Sequence, residues 1–262
     1  MVNKKILKQK LLRWLESSNF GLRVSLIIRY GVYSKPKYPQ RFIKRAVLKN
    51  INDVNNSVKE IHDLGLPIMT DIPKNWDSLI ALKIILKFTD KDSKVFDAGG
   101  EIYSMILPWL FLYGYKNLLA GNLVFDKPIK RGSIIYRNCD ITKTKFDAAT
   151  YDAITCLSVI EHGVDINEYF KEMSRILKPG GVLIVSTDYF ETPIDTKGKT
   201  AYGAPIHIFS KDEIVEILEI AAKFGLTPLF PIELGCDEKV VNWKKYDLNY
   251  TFIVLPFHKT DF

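Results

Sequence analysis

The sequence predicts an α/β protein with a doubly wound, mostly parallel sheet of seven strands and helices on both faces. Two observations lead to this prediction. Residues 151–157 and 182–186 are apolar runs of the length of buried strands. Between them, apolar side chains recur at the spacing of an amphipathic helix, at Ile166, Tyr169, Phe170, Met173, Ile176 and Leu177. Strand, helix and strand in this order form the unit from which parallel sheets are built.

The same alternation extends to either side of this unit. Strands are expected at residues 94–97, 117–121 and 133–136, and a helix at residues 105–113. The segment Lys178-Pro-Gly-Gly181 is expected to end the helix before the strand at 182–186. Ser210-Lys-Asp-Glu213 is a capping box that begins another helix. Two further strands, at 226–232 and 250–257, would form an antiparallel edge of the sheet.

The first 90 residues are expected to be mainly helical. Helices are predicted at about residues 4–16, 21–30, 40–63 and 73–87. A turn separates the second and third, because two prolines lie close together at Pro36 and Pro39. We therefore divide the chain into a basic helical N-terminal extension, 1–73, and a second domain, 74–262.

The composition fits a folded protein of a reducing compartment. The chain has 262 residues, of which 47% are hydrophobic, and this is enough for a full core. No apolar run reaches the length of a membrane span. The three cysteines, Cys139, Cys156 and Cys236, lie apart and provide neither a disulfide framework nor the spacing of a zinc site. We expect a cytoplasmic protein without a bound metal.

Positive charge is concentrated at the N-terminus. Residues 1–50 contain thirteen lysines and arginines but one acidic residue, Glu16, whereas the whole chain has a net charge of +7. Segregated charge of this kind indicates an anionic membrane surface or a polyanion as partner. Because leucines and Ile6 alternate with the lysines in residues 4–16, a membrane surface is favoured over RNA. The alternative is a solvated basic helix whose leucines pack on the second domain.

Four segments of residues 74–257 together resemble the class I S-adenosylmethionine-dependent methyltransferases. They are Val95-Phe-Asp-Ala-Gly-Gly100, Cys139-Asp-Ile141, Tyr151 to His162 with Ser158-Val-Ile-Glu-His162 at its end, and Leu177-Lys-Pro-Gly-Gly-Val-Leu-Ile184. Each segment alone is a weak signal, but their order and spacing are specific. The resemblance implies a Rossmann-like fold and S-adenosylmethionine as the cofactor.

The resemblance also implies which residues bind this cofactor. Asp97, Gly99, Gly100 and Ser158 would face its methionine end, and Asp140 with Ile141 its adenine. The chain departs from the family at two places. Ile102-Tyr103 stands where a third glycine is usual, and Asn122 stands where an acid usually binds both ribose hydroxyls. Glu101 or Asp126 is then a possible substitute for the missing acid.

Two histidines are candidates for a general base, which an alcohol acceptor needs in order to lose its proton. His162 follows the fourth strand of the family pattern, and His207 lies on the loop after the fifth. Asp188, Tyr189 and Tyr202 are expected to line the acceptor pocket. The polar and aromatic residues of 189–205 favour a polyol or sugar acceptor, and their pattern resembles methyltransferases of surface-polysaccharide pathways.

We therefore expect O-methylation of a sugar, a glycan or another small hydroxylated acceptor. Two other classes remain open. The basic N-terminus would suit an RNA methyltransferase, although the Pro-Pro-aromatic motif of base N-methylation is absent after the fourth strand. The two departures from the family pattern would suit a catalytically inactive, methyltransferase-like binding module. A dehydrogenase is disfavoured because the GxGxxG motif is missing.

Overall fold

The computed structural model describes residues 14–31, 35–40, 44–236 and 238–260. Its helices are α1 (Asn19–Tyr30), α2 (Ile51–Leu64), α3 (Lys74–Phe88), α4 (Ile106–Tyr113), α5 (Ile166–Ile176) and α6 (Lys211–Lys223). Its strands are β1 (Lys94–Ala98), β2 (Asn117–Gly121), β3 (Ile129–Arg131), β4 (Ile134–Arg137), β5 (Tyr151–Leu157), β6 (Leu177–Tyr189), β7 (Thr200–Ala201), β8 (Ala204–Pro205), β9 (Leu226–Pro228), β10 (Val241–Trp243) and β11 (Leu248–Lys259). Most of the predicted helix at residues 4–16 lies outside the described residues.

The described strands form the predicted doubly wound sheet. Their order is β10-β11-β6-β5-β1-β2-β4-β3, with β9 also paired to β11. The pairs β4–β2, β2–β1, β1–β5 and β5–β6 are parallel. The chain leaves β1 to build β2 and β4 on one side, and later builds β5 and β6 on the other. The carboxyl end of β1 therefore lies at the switch point where such sheets bind ligands.

The predicted antiparallel edge is present, but its first strand is shorter than predicted. Strand β11 is antiparallel to β6, as expected. Strand β9 is antiparallel to β11, so it runs in the same direction as β6. Only three residues of the predicted strand at 226–232 are in β9. The sheet also has a short hairpin, β3–β4, and an edge strand, β10, that the sequence analysis did not predict.

Two predicted boundaries also differ. The segment Lys178-Pro-Gly-Gly181 does not separate helix from strand, because β6 begins at Leu177 and shifts its register against β5 between Tyr151 and Ala153. The helix predicted at 40–63 begins at Ile51. The side chain of Asn50 caps it by accepting a hydrogen bond from the amide of Asp53. Residues 46–48 are instead extended along β11: the amide of Val254 donates to the carbonyl oxygen of Ala46 at 2.7 Å.

Helices cover both faces of the sheet, as predicted. On one face, Leu26, Leu82 and Trp109 belong to a buried cluster formed by α1–α4 with the sheet. On the other, Phe170 and Ile214 belong to a cluster formed by α5 and α6. The described part of residues 1–73 thus shares the core of the sheet, and the predicted boundary at residue 73 stays a prediction.

A buried ion pair attaches the start of α1 to the β3–β4 hairpin. Glu16 is 4% exposed, and its Oε2 accepts from Nε of Arg131 at 2.9 Å. Its other oxygen binds Arg29 at 2.9 Å and accepts from Ser25. Arg131 is itself buried and donates to the carbonyl oxygen of Ile102 at 3.0 Å. The acid of the basic extension is therefore fully neutralised inside the protein.

Replacing Glu16 with Ala should lower the free energy of unfolding by about 3–5 kcal/mol, because it leaves Arg131 buried without its carboxylate. The control is Lys116→Ala, which removes an exposed ion pair with Asp92 and should cost less than about 1 kcal/mol. Urea denaturation of both variants measures the two losses. Equal losses would show that Glu16 does not anchor α1.

Candidate active site

The carboxyl ends of β1, β2, β4, β5 and β6 meet at one edge of the sheet and carry most of the predicted site residues. The turn after β1 comes close to the turns after its two neighbours. The amide of Gly99 donates to the carbonyl oxygen of Gly121 at 2.7 Å. On the other side, Gly99 packs against the side chain of Val159. The carboxyl ends of β1, β2 and β5 are thereby held in contact with one another.

Two glycines are required in the turn after β1 for different reasons. Gly99 has a φ of +80°, and a Cβ there would overlap Val159. Gly100 has no such φ, but a Cβ there would overlap the carboxylate oxygen Oδ2 of Asp97. Any larger residue at either position would push the turn away from its neighbours. The amide of Gly100 in turn donates to the carbonyl oxygen of Asp97 at 3.3 Å, so the two glycines let the turn close over the end of β1.

Asp97 lies beneath this turn rather than at its surface. Its side chain is almost fully buried, and Oγ1 of Thr155 donates to Oδ1 at 2.7 Å. Burial raises the pKa of Asp97 to about 7. The predicted contact with the methionine end of the cofactor stays a prediction, since in this structure the carboxylate supports the turn.

Asn122 ties the turn after β1 to the turn after β2. Its Nδ2 donates to the carbonyl oxygen of Gly99 at 2.6 Å, and its Oδ1 accepts from the amide of Val124 at 3.1 Å. The side chain is thus oriented by the backbone on both sides. One amide hydrogen and one oxygen lone pair remain for a ligand. The predicted contact of Asn122 with the ribose stays a prediction, and the side chain has fewer bonds to offer than a free carboxylate would have.

The predicted adenine and substitute residues lie on the same edge. Asp140 is exposed, and its Oδ1 accepts from the amide of Thr142 at 2.9 Å and from its hydroxyl at 2.7 Å. These bonds lower the pKa of Asp140. Ile141 beside it is buried. Glu101 is half-buried next to the hydroxyl of Tyr103, and its amide donates to Ser104 at 3.1 Å.

Lys74, in the first turn of α3, reaches the predicted site, and the sequence analysis missed it. Its ammonium donates to the hydroxyl of Ser158, lies 3.7 Å from the ring centroid of Phe252 and is 4.0 Å from Oδ2 of Asp77. Ser158 has a φ of +55°, a strained backbone conformation for a serine. The sequence shows Lys74 in the first turn of the helix that precedes β1, but it does not show that this turn lies beside the end of β5.

Three buried carboxylates lie around this ammonium, and two of them were also missed. Asp77 accepts from Ser186 at 2.7 Å, Glu161 accepts from Thr187 at 3.0 Å, and Asp188 binds the hydroxyl of Tyr250. Burial raises the pKa of each carboxyl, and the charge of Lys74 opposes this rise. The cluster therefore carries more potential negative than positive charge, which favours a cation nearby.

His162 lies at the mouth of this cluster. Its ring is 5.1 Å from the ring of Tyr202, and its Nδ1 is buried without a hydrogen-bond partner among the described residues. Burial and the charge of Lys74 lower the pKa of His162, so the imidazole is neutral at neutral pH. A buried nitrogen without a partner costs about 1–3 kcal/mol, and such atoms often await a ligand.

Tyr202 lies at the tip of the β7–β8 hairpin and is 76% exposed. Its φ is +53° and that of Gly203 is +82°, so both residues of the hairpin turn are left-handed. Ala204 of the same hairpin packs 3.7 Å from the position of a Cβ on Gly163. The hairpin thus covers His162, and the prediction that Tyr202 lines the acceptor pocket stays a prediction.

The other predicted residues do not line the space around His162 and Tyr202. Tyr189 is fully buried, and its hydroxyl donates to the carbonyl oxygen of Leu234 at 2.6 Å, so its prediction as a pocket wall was wrong. Asp188 is buried beneath the mouth with Tyr250 rather than lining it. His207, the second predicted base, has its Nε2 2.8 Å from a carboxylate oxygen of Glu213. Glu213 is the acid of the α6 capping box, so this nitrogen already has a partner.

Comparison with known proteins agrees with this geometry. A family model described as "Methyltransferase domain" matches residues 119–185. The human mitochondrial ubiquinone biosynthesis O-methyltransferase is 34% identical over 64 residues, and the match spans 24% of this chain and 17% of that protein.

Solved structures are similar over a larger part of the chain but at low sequence identity. The Burkholderia thailandensis 1,6-didemethyltoxoflavin-N1-methyltransferase has a TM-score of 0.52 and 16% identity, with 87% of this chain and 100% of that chain covered. The cyclase SpnF has a TM-score of 0.53 and 12% identity, with 80% and 94% covered. At such identity these likenesses support the fold alone.

The sheet and its helices form the Rossmann-like α/β fold seen in S-adenosylmethionine-dependent methyltransferases, and the match to a methyltransferase domain covers about a quarter of the chain. The matched residues, 119–185, run from within β2 to within β6 and contain β3, β4, β5 and α5, but not β1 or the turn that follows it. S-adenosylmethionine is the cofactor of this class. The residues at the site fit it, because Asn122 keeps one donor and one acceptor for a ligand and the three buried carboxyl groups would favour its positive charges.

Replacing Gly100 with Ala should weaken binding of S-adenosylmethionine at least tenfold, which is about 1.4 kcal/mol, because the new Cβ displaces the turn from Asp97. Gly235→Ala is the matched control, since a Cβ there meets no atom within 4 Å among the described residues. Isothermal titration calorimetry measures both affinities. Unchanged affinity in a folded Gly100→Ala protein would contradict the role given to the turn.

The raised pKa of Asp97 predicts how stability depends on pH. An unfolded aspartate titrates near pH 4, whereas Asp97 keeps its proton until about pH 7 in the folded protein. The folded state therefore binds more protons in this window, and its stability falls as the pH rises through it. Asp97→Asn should flatten this fall by up to about 1.4 kcal/mol per pH unit.

Urea denaturation between about pH 4 and 8 tests this expectation. The control is Asp140→Asn, because Asp140 is exposed with a lowered pKa and contributes below the window. A slope that Asp97→Asn leaves unchanged would show that the buried carboxyl does not titrate there.

Proposed function

We propose that this protein transfers the methyl group of S-adenosylmethionine to a hydroxyl group of a small acceptor, most simply a sugar or glycan. The observation that supports the proposal is the position of His162. Its neutral imidazole lies one turn away from the Gly99–Val159 contact, with Nδ1 unpaired among the described residues. A hydroxyl acceptor needs a base at this place, whereas an amine acceptor does not need one to the same extent.

Methyl transfer requires the protein mainly to position the cofactor and the acceptor and to remove one proton from the acceptor hydroxyl. The bound cofactor supplies a methyl group already activated on a sulfonium. The turn at Gly99-Gly100 and the side chains of Asn122 and Ser158 would hold it. The acceptor hydroxyl would give its proton to Nδ1 of His162 as its oxygen bonds to the methyl carbon.

The acceptor would enter beneath Tyr202. The ring of Tyr202 covers the imidazole of His162, so an acceptor reaches Nδ1 when the β7–β8 hairpin moves aside. An exposed tyrosine beside the site provides a flat apolar face and a hydroxyl, which suits the ring of a sugar. Tyr103 is also largely exposed, and Tyr202 lies close enough to contribute to the rise in the pKa of Tyr103.

The lysine and the three buried carboxylates would orient the methionine end. Lys74 binds the hydroxyl of Ser158, and its charge adds to the effect of burial in lowering the pKa of His162. We place Lys74 as a positioning residue and not as a base. His207 is not needed in this scheme, because Glu213 already binds its Nε2.

A methyl-transfer assay with labelled cofactor tests the proposal. Calorimetry with S-adenosylmethionine and S-adenosylhomocysteine comes first, and purified protein is then offered sugars, oligosaccharides and catechols, with amines and transfer RNA as separate arms. Incorporation of label into a hydroxylated acceptor would support the proposal. Label in RNA would instead support the second candidate, which rests on the thirteen basic residues of 1–50.

With the accepted substrate, His162→Gln should lower kcat by about 10²–10⁴-fold, because the variant lacks the proton acceptor, and should leave cofactor affinity nearly unchanged. His207→Gln is the control and should retain activity. A larger loss for His207→Gln would reverse the two assignments. Cofactor binding without any transfer to a broad acceptor set would favour the inactive binding module.

The predicted location and partner of the N-terminus are part of the same proposal. A cytoplasmic enzyme that acts on a lipid-carried glycan would meet its acceptor at the membrane surface, and a basic N-terminus would suit this. The support for it is the sequence of residues 4–16, which lies mostly outside the described residues.

A further inference from the structure

The outward face of α1 is apolar, and two of its large side chains, Phe20 and Ile28, are mostly exposed to solvent. Phe20, Val24, Ile27 and Ile28 lie within about a third of the helix circumference, as the 3.6-residue period requires. Phe20 is 77% and Ile28 75% exposed. The opposite side of α1 already supplies the core with Leu22 and Leu26.

This face stands out from the rest of the described surface. Just before α1, Trp14 is 73% exposed. Together with Phe20 and Ile28, it is one of the three most exposed large hydrophobic side chains, tyrosines aside, among the described residues. Single exposed hydrophobic residues need no explanation, but a cluster of large ones on one element indicates an interaction surface.

The segment of sequence that contains this face is rich in basic residues and poor in acidic ones. Arg23 lies beside the apolar stripe, half-exposed, and the first 50 residues hold thirteen lysines and arginines. Glu16, the single acid among them, is buried against Arg131 and Arg29. The only acidic side chain of residues 1–50 is therefore already paired with two arginines. A surface that joins large apolar side chains to positive charge is complementary to a lipid headgroup layer with negative charge.

We propose that the outward face of α1 docks on a membrane surface that contains anionic lipids, with Phe20 and Ile28 inserted at the headgroup boundary. A second copy of this chain is a poorer occupant, because it would bring its own positive charges against these. A nucleic acid would match the charge but would leave Phe20 and Ile28 in water. No described helix has the length and apolar character to cross a bilayer, so the contact is peripheral.

The ion pair of Glu16 gives this surface its rigidity. Through Arg131 it fixes α1 to the β3–β4 hairpin, so the apolar face is presented by a helix that is part of the fold. Insertion then does not have to order the described part of α1, and the entropy cost of docking is lower. The inference does not depend on which acceptor the enzyme methylates.

Vesicle flotation of the full chain tests the proposal. Vesicles of phosphatidylcholine alone are compared with vesicles that also contain phosphatidylserine. We expect recovery with the anionic vesicles, little with the neutral ones, and a decrease as salt is raised. Phe20→Gln combined with Ile28→Gln should reduce recovery at least tenfold.

The matched control is Ile51→Gln combined with Val215→Gln, which removes two exposed aliphatic side chains from α2 and α6 and should not change recovery. Circular dichroism and thermal unfolding confirm that both double variants are folded. Equal recovery with neutral and anionic vesicles would overturn the proposal, and so would wild-type recovery of the Phe20/Ile28 variant. Concentration-dependent dimerisation that this variant abolishes, without vesicle binding, would identify a second copy as the occupant and also overturn it.

Discussion

The site depends on one close approach, in which the carboxylate of Asp97 occupies the space where a side chain at position 100 would begin. Because Gly100 has no Cβ, the turn after β1 folds directly over Asp97, and Thr155 holds the carboxylate from the neighbouring strand. The same turn then meets Val159 on one side and Gly121 on the other. The carboxyl ends of β1, β2 and β5 are thus joined through a turn that has almost no freedom to move.

The electrostatics of the site follow from burial. Asp77, Glu161 and Asp188 lie within the reach of the charge of Lys74, and the protein keeps them out of water. Buried carboxylates without enough positive charge hold protons or attract a cation. Bound S-adenosylmethionine, which carries a sulfonium and an ammonium, would supply such a charge. The same ammonium of Lys74 opposes protonation of His162, so one lysine acts on both halves of the site.

The sequence predicted those features that depend on local pattern. Alternation of apolar runs gave the parallel core, and the Gly99-Gly100 turn followed from the glycines after β1. Features that depend on tertiary contacts were missed. Tyr189 reads as an exposed loop residue in sequence, yet β6 extends through it and buries its ring. Lys74 is more than eighty residues from Ser158, so only the packing of α3 on the sheet reveals the contact. His207 looked equivalent to His162 until the capping box of α6 supplied its partner.

Asn122 shows how a departure from the family pattern is accommodated. A carboxylate at the end of β2 could not donate to the carbonyl oxygen of Gly99, and the two oxygens would repel each other at 2.6 Å. The amide instead closes this gap and at the same time accepts from Val124. The residue therefore fixes the turn that carries Gly99, and it can still offer one donor and one acceptor to a ribose. A turn that is ordered before the cofactor arrives would offset part of the affinity lost with the missing charge.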